Sequence, residues 1–252
     1  KNRTIMLKLG NSLSLAGAKT TYSNDFSLSF DGTNDYVTLD AAAASFTAIS
    51  TEGTAAIWAK SLTTTGSKTL FRAKVDTNNE FFIFWHNSSD EWRFTYKAGG
   101  TGRKVQYSAG TTDSDNAWHL FAMTWSADAD ELKGYVDGTQ VGSDVASLGT
   151  WSGDIAAVDV GQNTSDGAYY KGLLDEFAIW NEPLTAAEIT AIYNGGRSSI
   201  DLTSNYGNYT SAANLKGYWR FNEGTGTTAI DHSQNNLVGT LTNGTAYTVT
   251  TI

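Results

Sequence analysis

The chain has 252 residues, 40% of them hydrophobic and 12% aromatic, which is enough for one large all-β core. Its net charge of −9 lacks the basic footprint that nucleic acid or an anionic membrane requires, and the lack of cysteine excludes disulfides, thiol chemistry and cysteine-ligated zinc. No apolar run approaches the roughly 18 residues of a membrane-spanning helix, and the opening residues show no secretory-signal pattern.

Residues 1–23 hold one weak strand, Ile5 to Leu9, in otherwise small and polar sequence, and read as an N-terminal arm. Phe26 to Leu39 (FSLSFDGTNDYVTL) reads as a hairpin with an Asp/Asn-rich tip; the same tip also reads as a cation or ligand loop. Short strands follow at Thr54 to Ala59, Thr69 to Ala73, Glu80 to His86, Glu91 to Lys97 and Lys104 to Ser108. Phe81 to Trp85 is apolar on both faces and predicts a central strand covered on both sides. Many short strands separated by turn residues indicate a sandwich rather than βαβ units.

Ala117 to Gly138 predicts a second hairpin. Its first run sets Trp118, Leu120, Ala122 and Thr124 on one face and His119, Phe121, Met123 and Trp125 on the other. Its second run ends at Asp137-Gly138, a tight-turn pair. Strands at Ile155 to Gly161 and Gly172 to Trp180 precede one short helix near residues 185–193. There Thr185 and Glu188 form a capping box, Ile189, Ile192 and Tyr193 share a face, and Asn194-Gly195 closes the last turn. Residues 197–213 read as a linker or irregular connection, and Leu215 to Phe221 and the region before Leu241 as further strands.

Taken in order, FDGTNDYVTL, AWHLFAMTW, GYVDGTQVGS and GLLDEFAIWNEPLTAAEITAIYNGG resemble laminin-G-like and pentraxin-like domains of the concanavalin-A-like superfamily, over residues 26–196. The resemblance implies an all-β fold, a two-sheet antiparallel jelly-roll sandwich with that single helix. It divides the chain into an arm (1–23), the jelly roll (24–196) and a C-terminal extension (197–252). The extension's GYWRFNEGTGTTAIDHSQNNLVGTLTNG resembles strands that in many such modules precede the FDG segment. Displaced to the far end, it either completes its own sandwich or docks on a neighbouring subunit; an open sheet edge is a hazard that favours the first. In composition, the opening and the tail also resemble laminin-G-like structural proteins of marine phages.

Asn78-Asn79, just before the FFIFW strand, and Val160 to Asp166 resemble the pentraxin segments that bind calcium. The resemblance implies a Ca2+ site from Asp76, Asn78, Asn79, Asn163 and Asp166, weakened because Asn stands at two positions where pentraxins carry a carboxylate. The alternative is two polar loops at one end of the sandwich. Sugar recognition uses aromatic faces in loops, which nominates Trp151, Tyr169, Tyr170, Trp92 and His86 as ligand-binding residues.

No catalytic pair is evident. Glycoside hydrolysis needs two carboxyls roughly 5–9 Å apart across the sugar bond, which on a strand means same-face spacing; Asp128 and Asp130 sit in a hairpin tip, and Asp175 and Glu176 are adjacent and by strand alternation face opposite ways. Asp175 is expected to accept backbone N–H groups of the FDG turn, and His119 to be structural. The leading expectation is a non-catalytic adhesion module for a glycan or surface polysaccharide, extracellular or on a virion surface. The rival is a structural virion protein that assembles with copies of itself or with other virion proteins. A glycoside hydrolase ranks third.

Overall fold

The computed structural model describes residues 23–62, 66–108, 115–163 and 167–250. In chain order the strands are β1 (Phe26–Asp31), β2 (Tyr36–Thr38), β3 (Glu52–Ser61), β4 (Lys68–Lys74), β5 (Glu80–His86) and β6 (Glu91–Ala98). There follow β7 (Thr101–Tyr107), β8 (His119–Ser126), β9 (Glu131–Val136), β10 (Thr139–Val145), β11 (Ala157–Val160) and β12 (Lys171–Trp180). The helix α1 (Ala186–Gly195) precedes β13 (Leu215–Trp219), β14 (Thr228–Ala229), β15 (Gly239–Thr242) and β16 (Ala246–Val249).

The strands form two antiparallel sheets of eight. The first runs β10-β9-β8-β3-β12-β1-β16, with β13 also on β12; the second runs β14-β15-β2-β11-β4-β5-β6-β7. This is the sandwich that the strand pattern predicts and the jelly roll that the family resemblance implies. Period-2 alternation fills the space between the sheets: Phe121, Met123 and Trp125 of the first sheet meet Phe71, Phe81, Ile83 and Phe94 of the second. The sheets approach closely at Gly134, where a Cβ would stand 2.6 Å from the Phe94 ring.

A second apolar layer lies outside the first sheet. Ala56, Trp58, Leu120, Ala122, Tyr135 and Trp180 are covered by Leu184, Ile189 and Ile192 of the helical segment and by Ile200, Leu202 and Tyr209 beyond it. Thr185 and Glu188 make the capping box, and Tyr193 stacks on Trp58 with centroids 5.7 Å apart. The Glu188 carboxylate also accepts from Thr210 and Ser211, and the Tyr209 hydroxyl accepts from Trp180 and donates to the Leu202 carbonyl. Residues 197–213, read from sequence as a linker or irregular connection, are irregular in backbone and packed as part of the cover.

The displaced strands return to the chain's own sandwich. β13 pairs with β12, β16 with β1, and β15 with β2. β1 and β13 lie end to end along β12, and Asn222 joins them by accepting from the backbone N–H of Asp25 and Phe26. The FDG tip closes on itself: Asp35 accepts from the Asp31 N–H, and Asp31 from the Thr33 N–H.

One expectation fails in an informative way. Among the described residues, the doubly apolar β5 is covered by a further layer on its inner face only, because the helix and its flanking segment pack on the other sheet. Phe82, Phe84 and His86 point outward from the sandwich.

Candidate functional site

The outer face of the second sheet is built by register. Across the strands, Lys74, Glu80 and Lys97 form one row; Asp159, Arg72, Phe82, Thr95 and Lys104 the next; and Thr69, Phe84, Arg93 and Gln106 a third. Rows on one face of a sheet lie roughly 7 Å apart and strands about 4.8 Å apart, so these side chains are mutual neighbours.

Down the middle runs an aromatic ladder. Phe82 and Phe84 centroids are 5.2 Å apart, and Phe84 and His86 5.9 Å. Phe82 is only 9% exposed, while Phe84 and His86 are half-exposed. The Arg93 guanidinium lies 5.7 Å from the Phe84 ring centre. It is held by Glu91 at 2.6 Å, and Gln106 donates to the same carboxylate oxygen at 2.7 Å. Desolvation, followed by the charge of Arg93, pushes the His86 imidazole below its usual value, so the ring is neutral at neutral pH. An aromatic face flanked by fixed planar polar groups suits a ligand that offers C–H surface and hydroxyls together.

Toward β11 the face is locked from within. The buried Arg72 guanidinium pairs with Glu80 and donates to Asn163 Oδ1 at 2.8 Å. Beside it, burial raises the Asp159 carboxyl to about 6, against a hydrogen bond from Gln162.

The five nominated ligand residues do not gather at one place. His86 belongs to the outer ladder. Trp92 is 1% exposed and lies between the sheets, 4.3 Å from Phe121 and 5.5 Å from Trp85. It stands opposite Trp85 in the β5–β6 register, so alternation turns it inward. Tyr170 is fully buried against Phe30. Both are core residues, because proximity to a loop does not decide which way a side chain points. Trp151 and Tyr169 are half-buried; Trp151 rests on Phe81 and Tyr96, at the end of the sandwich formed by the β4–β5 and β6–β7 turns.

Nor do the described calcium candidates fit a cation cage. Asp76 Oδ1 accepts the N–H groups of Asn78 and Asn79, and Asn79 Oδ1 those of Gly99 and Ser152. These bonds tie three turns together, and they hold the Asp76 carboxyl below its ordinary value, the Asn78 N–H being the largest cause. Asn163 faces the Arg72 guanidinium, whose positive charge repels a second cation. Asp166 lies outside the described residues. Among the described residues no group of three or more acidic or histidine side chains is placed to hold a metal.

The adjacent carboxylates of β12 also differ from their reading by alternation. Glu176 has φ 49° at a bulge between Asp175 and Ala178, which turns both carboxylates to one side. Asn24 Nδ2 donates to both, at 2.9 and 2.7 Å. Arg197 pairs with Asp175, and Tyr218 donates to Glu176. Asp175 thus serves Asn24, Arg197 and its neighbour's N–H rather than the FDG turn, and burial raises its carboxyl despite the Arg197 charge. The cavity beside this network is about 10 Å3, room for a water molecule and not for a sugar.

Phe82, Phe84, Arg93 and Lys104 were not nominated from sequence. Their signal was present: a strand apolar on both faces beside two strands whose outer positions carry cations.

The family model for the Concanavalin A-like lectin/glucanases superfamily (Laminin_G_3) matches residues 31–190. The chain belongs to this superfamily. No curated protein sequence matches it. Among solved structures, this lectin/glucanase-type chain superposes on a candidate carbohydrate-binding protein from Bacteroides ovatus with TM-score 0.60 and 13% identity, covering 90% of this chain and 60% of that one. It superposes on the α2,3-sialyllactose-bound CBM40 of a Ruminococcus gnavus sialidase with TM-score 0.56 and 13% identity, over 69% and 99% of the two chains. A heptameric SAP-like pentraxin from Limulus polyphemus gives TM-score 0.52 at 13% identity, over 70% and 84%. At such identities the likeness is one of fold.

Proposed function

We propose that this chain is a carbohydrate-binding module that holds an extracellular or surface glycan on the outer face of its second sheet. The carrying observation is the half-exposed Phe84, stepped between Phe82 and His86 and flanked by Arg93, on the one sheet face that the helical layer leaves open. Apolar side chains placed outward on an open sheet raise the cost of hydrating that face, and a ligand that stacks on them recovers it. Structural neighbours that include a sugar-bound module support the reading. Phe84→Ala removes the half-exposed ring without opening the core between the sheets. It is expected to abolish binding on a glycan array while leaving the melting temperature within a few degrees of wild type. Wild-type protein that binds no glycan, with or without a chelator, would overturn the proposal.

A further inference from the structure

We infer that the glycan held on this face is a polyanion, a polysaccharide bearing carboxylate or sulfate groups; this rests on the glycan-binding reading above. The argument is one of charge placement. The chain carries a net charge of −9. Yet register places five cations, Arg72, Lys74, Arg93, Lys97 and Lys104, on the outer face of β4, β6 and β7. The same rows carry three carboxylates, Glu80, Glu91 and Asp159, and at the rim Asp76 lies near Lys97 and Asp40 near Asp159. Two of those carboxylates are committed, Glu80 to Arg72 and Glu91 to Arg93. Lys74, Lys97 and Lys104 make no ion pair among the described residues, and Lys97 donates to the Thr77 carbonyl at the edge of the face. Lys104 is exposed and stands one strand from Thr95 and two from Phe82.

A chain this acidic repels polyanions over most of its surface, so the cations set beside the aromatic ladder select the orientation in which an anionic strand can land. The cations flank the aromatic ladder instead of lying in a separate patch. A sugar ring stacked over Phe84 brings its acidic substituents within reach of Arg93 on one side and Lys104 diagonally beyond it. Neutral glycans would use the ring and leave three lysines idle. The arrangement also needs no metal ion to bridge protein and anion, since lysine and arginine provide the positive charge directly.

The test uses the full chain against heparin and polygalacturonate as anionic probes and dextran and laminarin as neutral ones, by surface plasmon resonance over a salt series. The expected result is binding to the anionic probes that weakens steadily with salt, as screening shortens the reach of charge to about 8 Å at physiological ionic strength. The double variant Lys97→Glu/Lys104→Glu should lose roughly tenfold or more in affinity, each reversed charge removing on the order of 1 kcal/mol. Lys171→Glu, exposed on the other sheet, should leave binding unchanged. Matching melts for all variants keep the comparison one of binding, and Lys104→Gln supplies a milder version if the double variant is unstable. Binding to a neutral probe that needs Phe84 but ignores Lys97 and Lys104 would overturn the polyanion inference and leave the glycan-binding reading standing. No binding to either class would remove both.

Discussion

A single backbone angle decides what β12 does with its two carboxylates. Alternation sends Asp175 and Glu176 to opposite faces; the positive φ of Glu176 cancels one step of it, and both meet Asn24. A non-glycine residue in that region costs of order 1 kcal/mol or more, and the buried network around it offsets the cost. No local pattern announces such a bulge. His119, by contrast, was legible as structural, and its environment is a clamp. Nδ1 meets Asp137 at 2.7 Å and Nε2 meets Asp115 at 3.0 Å. The Asp137 hydrogen bond is the largest cause that raises the imidazole above its ordinary 6.5. A raised folded value means that the clamp's stabilisation is fully present below 6.5 and is lost as pH climbs through the folded value. The melting-temperature gap between wild type and His119→Gln should therefore be widest just below the ordinary value and narrow on the alkaline side; a gap that grows with pH would contradict the clamp.

At the scale of elements, the helix and the tail differ in how they could be read. The capping box of α1 is a four-residue signal, and its two reciprocal bonds form as the spacing requires. The tail depends on partners about 200 residues away in the chain: β16 on β1, β15 on β2, and Asn222 on the start of β1. Trp219 stacks on Phe177 at 5.5 Å and donates its indole N–H to the Leu237 carbonyl, so the tail also supplies core. A chain ending at residue 214 would uncover Phe177 and leave β1 and β2 as open edges. It is expected to lose its cooperative melting transition and to bind a hydrophobic dye. Calorimetry showing a wild-type transition in the truncated chain would mean that the tail is an accessory.

For the molecule as a whole, layering assigns the two outer faces different roles. The first sheet carries the helix, and among the described residues the second presents aromatic and cationic side chains outward. Because Asp76 Oδ1 and Asn79 Oδ1 accept backbone N–H groups and Asn163 Oδ1 accepts from Arg72, neither millimolar calcium nor a chelator is expected to move the melting temperature. A native-state ligand at a hundredfold its dissociation constant would add about 2.7 kcal/mol, a shift that differential scanning calorimetry would register. The amino-acid sequence by itself determined the strand periodicity, the capped helix, the division of the β8–β9 hairpin into two faces and the superfamily, because these rest on local spacing and on motifs in order. It left undecided where the tail docks, which face of β5 stays open, that Trp92 and Tyr170 are core, and that Asn163 meets a guanidinium. Those follow from which layer packs on which sheet, a competition among distant apolar surfaces that only the assembled tertiary structure resolves.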